Sequence, residues 1–154
     1  MTTIWRIDKK RHAASSFSGE GAALYGGRWN PQGVRVVYAS QTLALAALEK
    51  FVHLEGVAAG ISFVSFKIEI PDSVRIRHLE LAHLPRNWRS VPAPASTREI
   101  GLNWARKSES AVMRVPSTVI PSEYDYLLNP LHPGFKALKI AKPVPFSFDP
   151  RLWK

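Results

Sequence analysis

"GGRWNPQGVRVVYASQTLALAALEKFVHL", residues 26–54, is the stretch on which the reading of the fold turns. Two glycines precede Arg28, Trp29 and Asn30, and glycine lets a backbone turn tightly or approach another group closely. Val34 to Ala39 is rich in β-branched residues and lies between Gly33 and Ser40, the pattern of a short strand. From Gln41 to Leu54 the period changes. Leu43, Ala44, Ala47, Leu48, Phe51 and Leu54 recur at helical spacing, with Ser40 expected as N-cap and Gly56 as the stop. Loop, strand and helix follow one another directly, so Arg28, Tyr38 and Glu49 fall in one neighbourhood.

Each of these three side chains has two readings. Arg28 is either a planar fork of donors for a phosphate or carboxylate, or a solvated turn residue. Glu49 lies at the edge of a wide apolar helix face, where a carboxylate is costly without a partner or a task. Its other reading is a side chain pointing to water beside Lys50 and His53. Tyr38 is either a ring that meets a cation or a core aromatic on a strand. Taken together, the three suit a ligand that carries both phosphate and a positively charged heterocycle. Nicotinamide adenine dinucleotide (NAD) has that chemistry.

Outward from this stretch the organisation is mixed. Residues 4–25 read as irregular. Ile61 to Ile70 alternates, with Val64, Phe66, Ile68 and Ile70 on one face, and ends at Pro71, as a half-buried strand does. Residues 73–81 suggest another strand. The Ser96 and Glu99 spacing suggests a capping box for a helix reaching about Lys107. Short strands are expected at Ala111–Val115 and Val119–Ile120, a turn-rich segment at 126–135, and a last strand within 137–149. Strands outnumber helices without alternating strictly with them, so the expected class is α+β.

The chain has 154 residues, of which 45% are hydrophobic and none is cysteine. That length suits one domain spanning 1–154, and the absence of cysteine excludes disulfides and thiolate metal sites and suits a reducing cytoplasm. No apolar run is long enough to span a bilayer, and "MTTIWRIDKKRH" lacks the apolar core of a secretory signal. The formal charge of +9 points to anionic partners. The positive residues are dispersed, with Lys9-Lys10-Arg11 the one tight run, and no RNA- or DNA-binding module signature is present. A basic protein that grips RNA stays as one alternative.

A second polar cluster, "VPSTVIPSEYDYLLNPLHP" at 115–133, sets Ser117, Ser122, Asn129 and His132 among prolines that fix the backbone. No HExxH motif or histidine ligand spacing occurs, so no metal site is expected. The GxSxG of a serine hydrolase is also absent. Asn129 and Ser117 read, on their own, as residues that close turns.

"SGEGAALYGGRWNPQGVRVVYAS", then "LALAALE", "RVPSTVIPSEYDYLLNPLHPGF" and "FDPRLW" together resemble the RES domain family, over nearly the whole chain from Trp5 to Trp153. The family consists of bacterial toxins of toxin–antitoxin pairs, named for an Arg, a Glu and a Ser. The resemblance implies a fold similar to the ADP-ribosyltransferase toxins such as diphtheria toxin, with short mixed or antiparallel strands and a few helices. It places Arg28, Glu49 and Ser117 at the naming positions and Tyr38 at the associated aromatic position. NAD is implied as the substrate, with no separate cofactor. The implied partner is an Xre-like helix-turn-helix antitoxin that covers the active site, so that nucleic acid is met only through it. Many relatives have Asn where this chain has Asp125, a difference not expected to abolish the chemistry.

In that light Glu49 is expected to stabilise positive charge on the ribose as nicotinamide leaves, and Arg28 to hold a phosphate of NAD. Tyr38 is expected to pack on the nicotinamide ring and Ser117 to bond the ribose or carboxamide, with Gly27 and Asn30 also at the substrate. The acceptor is water, inorganic phosphate or a protein side chain. Ala47 stands where the first carboxylate of an E-x-E pair would be, which favours NAD glycohydrolase or phosphorolase activity over mono-ADP-ribosyl transfer to a protein.

Overall fold

The longest strand pairing joins the two ends of the first seventy residues. The structure, a computed structural model, describes residues 1–54 and 60–153. In it β1 (Thr2–Lys9) runs antiparallel to β3 (Phe63–Ile70) through eight consecutive residue pairs, from Thr2 opposite Ile70 to Lys9 opposite Phe63. The other strands are β2 (Val37–Ser40), β4 (Ile76–His78), β5 (Val112–Pro116), β6 (Tyr124–Leu128), β7 (Lys139–Ile140) and β8 (Val144–Phe146). They form one sheet in the order β4-β5-β6-β2-β1-β3-β7, with β8 also on β3. Only β4 and β5 pair in parallel. The helices are α1 (Glu20–Tyr25), α2 (Leu43–Val52) and α3 (Ala95–Arg106). The α+β class expected from the sequence is the one observed.

The register sorts the side chains into two faces. One carries Ile4, Val37, Ala39, Ile68, Val112, Tyr126 and Leu128, packed with Phe17, Ile76 and Phe135. The other carries Tyr38, Met113, Val115 and Leu127 under Trp104 of α3, and Ile7 and Phe63 under Ala46 of α2. Both longer helices therefore cover the same face, α2 over β1 and β2 and α3 over β5 and β6.

Several local expectations give way to tertiary context. Residues 4–25 are ordered as β1, a 3-10 turn at Lys10–Ser15 and α1. In β1, Arg6 and Asp8 look like surface residues. Arg6 instead donates to Ser16 Oγ at 2.8 Å, to the Tyr38 carbonyl at 2.8 Å and to Asp8 at 3.2 Å. The α2 helix begins later than its apolar pattern suggests, because Thr42 rather than Ser40 caps it, Oγ1 accepting from Leu45 N at 3.0 Å. Gly56, the expected stop, lies outside the described residues. The capping box at Ser96 does not form: Pro94 precedes the helix and Ser96 donates to Asn87 instead. Val119–Ile120 is not a strand, and the segment read as turn-rich begins with the buried strand β6. No helix among the described residues is long and apolar enough to cross a membrane.

One contact fixes the Arg28 loop on this scaffold. Gly101 in α3 lies so close to the Trp29 backbone that a Cβ there would collide with the Trp29 carbonyl. A turn earlier, buried Thr97 donates to the Arg28 carbonyl at 2.7 Å. Gly101→Ala must push helix and loop apart. It is expected to cost about 2 kcal/mol, read as a fall in Tm of roughly 4–8 °C; an unchanged Tm would show that the loop is not seated on α3.

Candidate active site

The loop opened by the two glycines is a tight turn closed on itself. Gly27 N donates to the Asn30 carbonyl at 2.9 Å, and Asn30 N to the Gly27 carbonyl at 3.4 Å. Tyr38 reaches into this turn from β2: its hydroxyl donates to Asn30 Oδ1 at 2.5 Å and accepts from Trp29 N at 3.2 Å. A Cβ on Gly27 would stand 2.7 Å from that hydroxyl and 2.9 Å from Asn30 Oδ1, so the second glycine is required by this close approach. Burial pushes the Tyr38 phenol far above its ordinary range, which keeps it a neutral donor.

Asn30 is fully buried, and its amide donates to the carbonyls of Ala22, Pro31 and Val34. Its oxygen already holds Tyr38. The side chain expected at the substrate is thus used up within the protein, and it shapes the loop that presents Arg28.

Arg28 itself is half-buried. Nη1 donates to the carbonyls of Trp88 and Ser90 at 2.9 and 2.8 Å; among the described residues no partner is recorded for Nη2 or Nε. Burial lowers the guanidinium from its ordinary pKa, while the negative charge of Glu49 works in the opposite direction. Arg28 and Glu49 are therefore near enough to feel each other, yet no ion pair joins them among the described residues.

Glu49 follows the buried Leu45 and Ala46 by one helical turn, which carries it toward the sheet rather than away from it. Its carboxylate accepts a hydrogen bond from Ser117 Oγ at 2.6 Å. Ser117, just past the end of β5, is fully buried. Its oxygen accepts from Val119 N and Ile120 N, both at 3.1 Å. A hydroxyl has one proton and two lone pairs. With both lone pairs taken by N–H donors, the proton of Ser117 must go to Glu49. Ser117 therefore has no exposure and no spare hydrogen-bonding capacity, and its one side-chain donor bond orients Glu49.

The structure thus brings Arg28, Tyr38, Glu49 and Ser117 together on the face of the sheet that carries α2 and α3. A groove of about 400 Å³, lined by Tyr25, Gly26, Gly27, Pro31, Gln32, Ala93 and Arg98, borders the same loop. Two further residues belong here: Ser40, which the sequence suggested only as a helix cap, and Asp125, which it marked only as a departure from many relatives. Ser40, at the end of β2, donates to Asp125 Oδ1 at 2.6 Å, and burial together with the neighbouring Glu49 pushes the Asp125 carboxyl well above the usual carboxylate range. The Ser40 hydroxyl gives no sign of this in the sequence, because the pairing across β2 and β6 that creates it spans 85 residues.

Comparison with known proteins places this arrangement in a family. The model of the RES domain matches residues 3–149. A protein of Yersinia enterocolitica named Toxin Res is 43% identical over 150 residues, covering 97% of this chain and 98% of the relative. A Sphingobium protein named Prs ADP-ribosylating toxin is 38% identical over 156 residues, covering 98% and 96%. Among solved structures, the Mycobacterium tuberculosis MbcT–MbcA toxin–antitoxin complex contains a chain that superposes with a TM-score of 0.74 at 18% identity, over 99% of this chain and 86% of that one. The chain belongs to the RES domain family.

Proposed function

We propose that this protein is the toxin of a toxin–antitoxin pair and that it breaks the nicotinamide–ribose bond of NAD. The observation that carries the reading is the Glu49 carboxylate, aimed by Ser117 and set near an Arg28 guanidinium with which it makes no ion pair. The names of the relatives support the toxin role, and the toxin–antitoxin complex of similar fold supports an antitoxin partner. An Xre-like antitoxin seated over this site would silence it by exclusion.

In this reaction the bond between ribose C1′ and the nicotinamide nitrogen breaks with its electron pair leaving on nitrogen. The cationic ring thereby becomes neutral nicotinamide, which needs no proton to depart. Positive charge passes to the ribose, as in glycoside cleavage. Glu49 stabilises that charge with a preorganised carboxylate in a partly dry site. Nη2 and Nε of Arg28 face a phosphate of the dinucleotide, and Tyr38 packs its ring edge against the nicotinamide while its hydroxyl stays in the loop. The groove beside Gly26 and Gly27, with the exposed ring of Tyr25, offers room for the rest of the ligand. Water or phosphate then attacks C1′, so the enzyme is a glycohydrolase or phosphorolase. The Sphingobium relative supports a second reading, in which the attacking group is a protein side chain and the product is ADP-ribosylated protein.

Nicotinamide release from NAD by the purified protein is expected in water or phosphate and should fall by about 10²-fold or more in Glu49→Gln, the loss of a transition-state charge partner. Release unaffected by the substitution would sink the mechanism. No release without a lysate, but labelling of a lysate protein from NAD, would select the transferase reading.

Ser117→Ala removes the donor that aims Glu49 and strands two backbone N–H groups. We expect kcat to drop about 10–100-fold with KM nearly unchanged, alongside a stability loss of about 1–3 kcal/mol. A rise in KM at constant kcat would instead mean that Ser117 contacts the substrate after all.

A further inference from the structure

Asp125 lies on β6 between β2 and β5. It stands opposite Ser40 across the β2–β6 ladder and opposite Val115 across the β5–β6 ladder, on the same face of the sheet as Tyr38. Its Oδ1 accepts from Ser40 Oγ at 2.6 Å, and it neighbours Glu49, whose carboxylate is held by Ser117, a residue tied through its N–H to the Glu123 carbonyl two positions before Asp125. Two neighbouring carboxyl groups in a half-buried site oppose each other's ionisation, so a proton is favoured on one of them.

The surroundings decide which one keeps it. Glu49 already receives the Ser117 proton and faces the charge of Arg28. Among the described residues, Asp125 has the Ser40 hydroxyl as its side-chain donor. Burial first, then the hydrogen bond with Glu49 and the Glu49 charge, push the Asp125 carboxyl well above the usual carboxylate range, Ser40 opposing. The other charged or titratable groups around it do not compete for the proton. Tyr38 on β2 is pushed upward itself and stays neutral. Arg28, with Arg89 beyond it, keeps its positive charge on the Glu49 side. Arg114 on β5 stands one residue out of step with Asp125 in the ladder and points to the opposite face, over the Tyr124 ring at 3.9 Å.

We propose that Asp125 is a positioning residue for the reacting carboxylate: in its acid form it donates a hydrogen bond to Glu49, so that Glu49 is held between two neutral hydroxyl donors, Ser117 on one side and Asp125 on the other. For activity the inference rests on the NAD reading; for the proton it does not. The consequence is a dependence on pH with a definite sign. The folded protein keeps a proton that the unfolded chain releases above about pH 3.9. The associated stability is fully present below that pH and is lost as pH rises through the folded value. Above it, Asp125 and Glu49 repel each other and the carboxylate loses its aim.

Asp125→Asn tests this, because an amide donates to Glu49 at every pH. Wild type and variant would be compared by Tm across pH 4–9 and by nicotinamide release over the same range. The expected result is that Asp125→Asn removes the alkaline decline of Tm and moves the alkaline limb of kcat upward, with kcat at the optimum within a few-fold of wild type. Asp125→Ala, which has no donor, is expected to lower kcat on the order of tenfold at all pH values with little change in KM. Identical pH profiles of Tm in wild type and Asp125→Asn overturn the proposal, as does an Asn variant that loses kcat as Ala does. Absence of nicotinamide release from wild type counts against the NAD reading alone, and the Tm comparison still decides the proton. Carbon-13 titration of the side-chain carboxyls in wild type needs no variant: one aspartate resonance titrating well above the others supports the proposal, and all of them titrating together in the ordinary range overturns it.

Discussion

A hydroxyl group can usually turn to suit its neighbours, and Ser117 cannot. Val119 N and Ile120 N both point at its oxygen, so its one proton has a single acceptor left, Glu49. This constraint is set by the backbone just after β5, a region held to β6 by antiparallel pairing and by the bond from Ser117 N to the Glu123 carbonyl at 2.9 Å. A carboxylate on a helix is thereby oriented by the sheet beneath it. The orientation depends on α2 and the end of β5 keeping their distance, and the fold supplies that rigidity. Ala46 packs on Ile7 and Phe63, and Arg6 ties β1 to β2 through the Tyr38 carbonyl, where β1 and β2 share only the Trp5–Ser40 pair in register.

The opposite side of the site is built by a different device. Arg28 sits on a loop, and loops move more readily than strands. Here the loop is pinned from three directions: by Tyr38 and Asn30 inside the turn, by Thr97 and Gly101 of α3 beneath it, and by the Trp88 and Ser90 carbonyls on the guanidinium itself. Three of these side chains, Tyr38, Asn30 and Thr97, carry polar groups that meet only protein. Preorganisation of a charged group needs such neighbours, because the ligand's binding energy is then not spent on ordering the loop.

How much of this could be read from the chain depends on how local each signal was. The helix carrying Glu49 and the strand carrying Tyr38 announce themselves within a dozen residues by period and β-branching, and Gly27 before Arg28 marks a close approach correctly. β1 was illegible because Arg6 and Asp8 interrupt its apolar pattern; they are satisfied by each other and by Ser16, Lys50 and the Tyr38 carbonyl, which the sequence places elsewhere. β6 was hidden by the Asn-Pro and His-Pro turns that follow it and by an aspartate inside a strand, a residue type depleted there. Asn30 and Ser117 were legible as important through the family resemblance, but their chemistry was not. Whether a polar side chain faces a ligand or its own protein depends on what the far end of the chain brings to it, and no spacing rule encodes that.

The choice of partners for Glu49 bears directly on what the site can do. A buried carboxylate is most simply stabilised by a guanidinium or ammonium group, and Arg28 is near enough to have been used that way. Such a pair would leave the carboxylate's charge largely neutralised before any ligand arrived, and breaking it would be costly. The protein instead fixes the direction of Glu49 with the Ser117 hydroxyl and leaves Arg28 at a distance without an ion pair. On the reading proposed above, a carboxylate held in this way would interact more strongly with a ribose that is becoming cationic than with the same ribose in the intact substrate, and only that difference would accelerate the reaction. Arg28, kept apart by its carbonyl partners, remains available to an anion. On the NAD reading proposed above, a dinucleotide with its phosphates toward Arg28 and its glycosidic carbon toward Glu49 would satisfy both charges at once, and most fully when the bond to nicotinamide is already breaking.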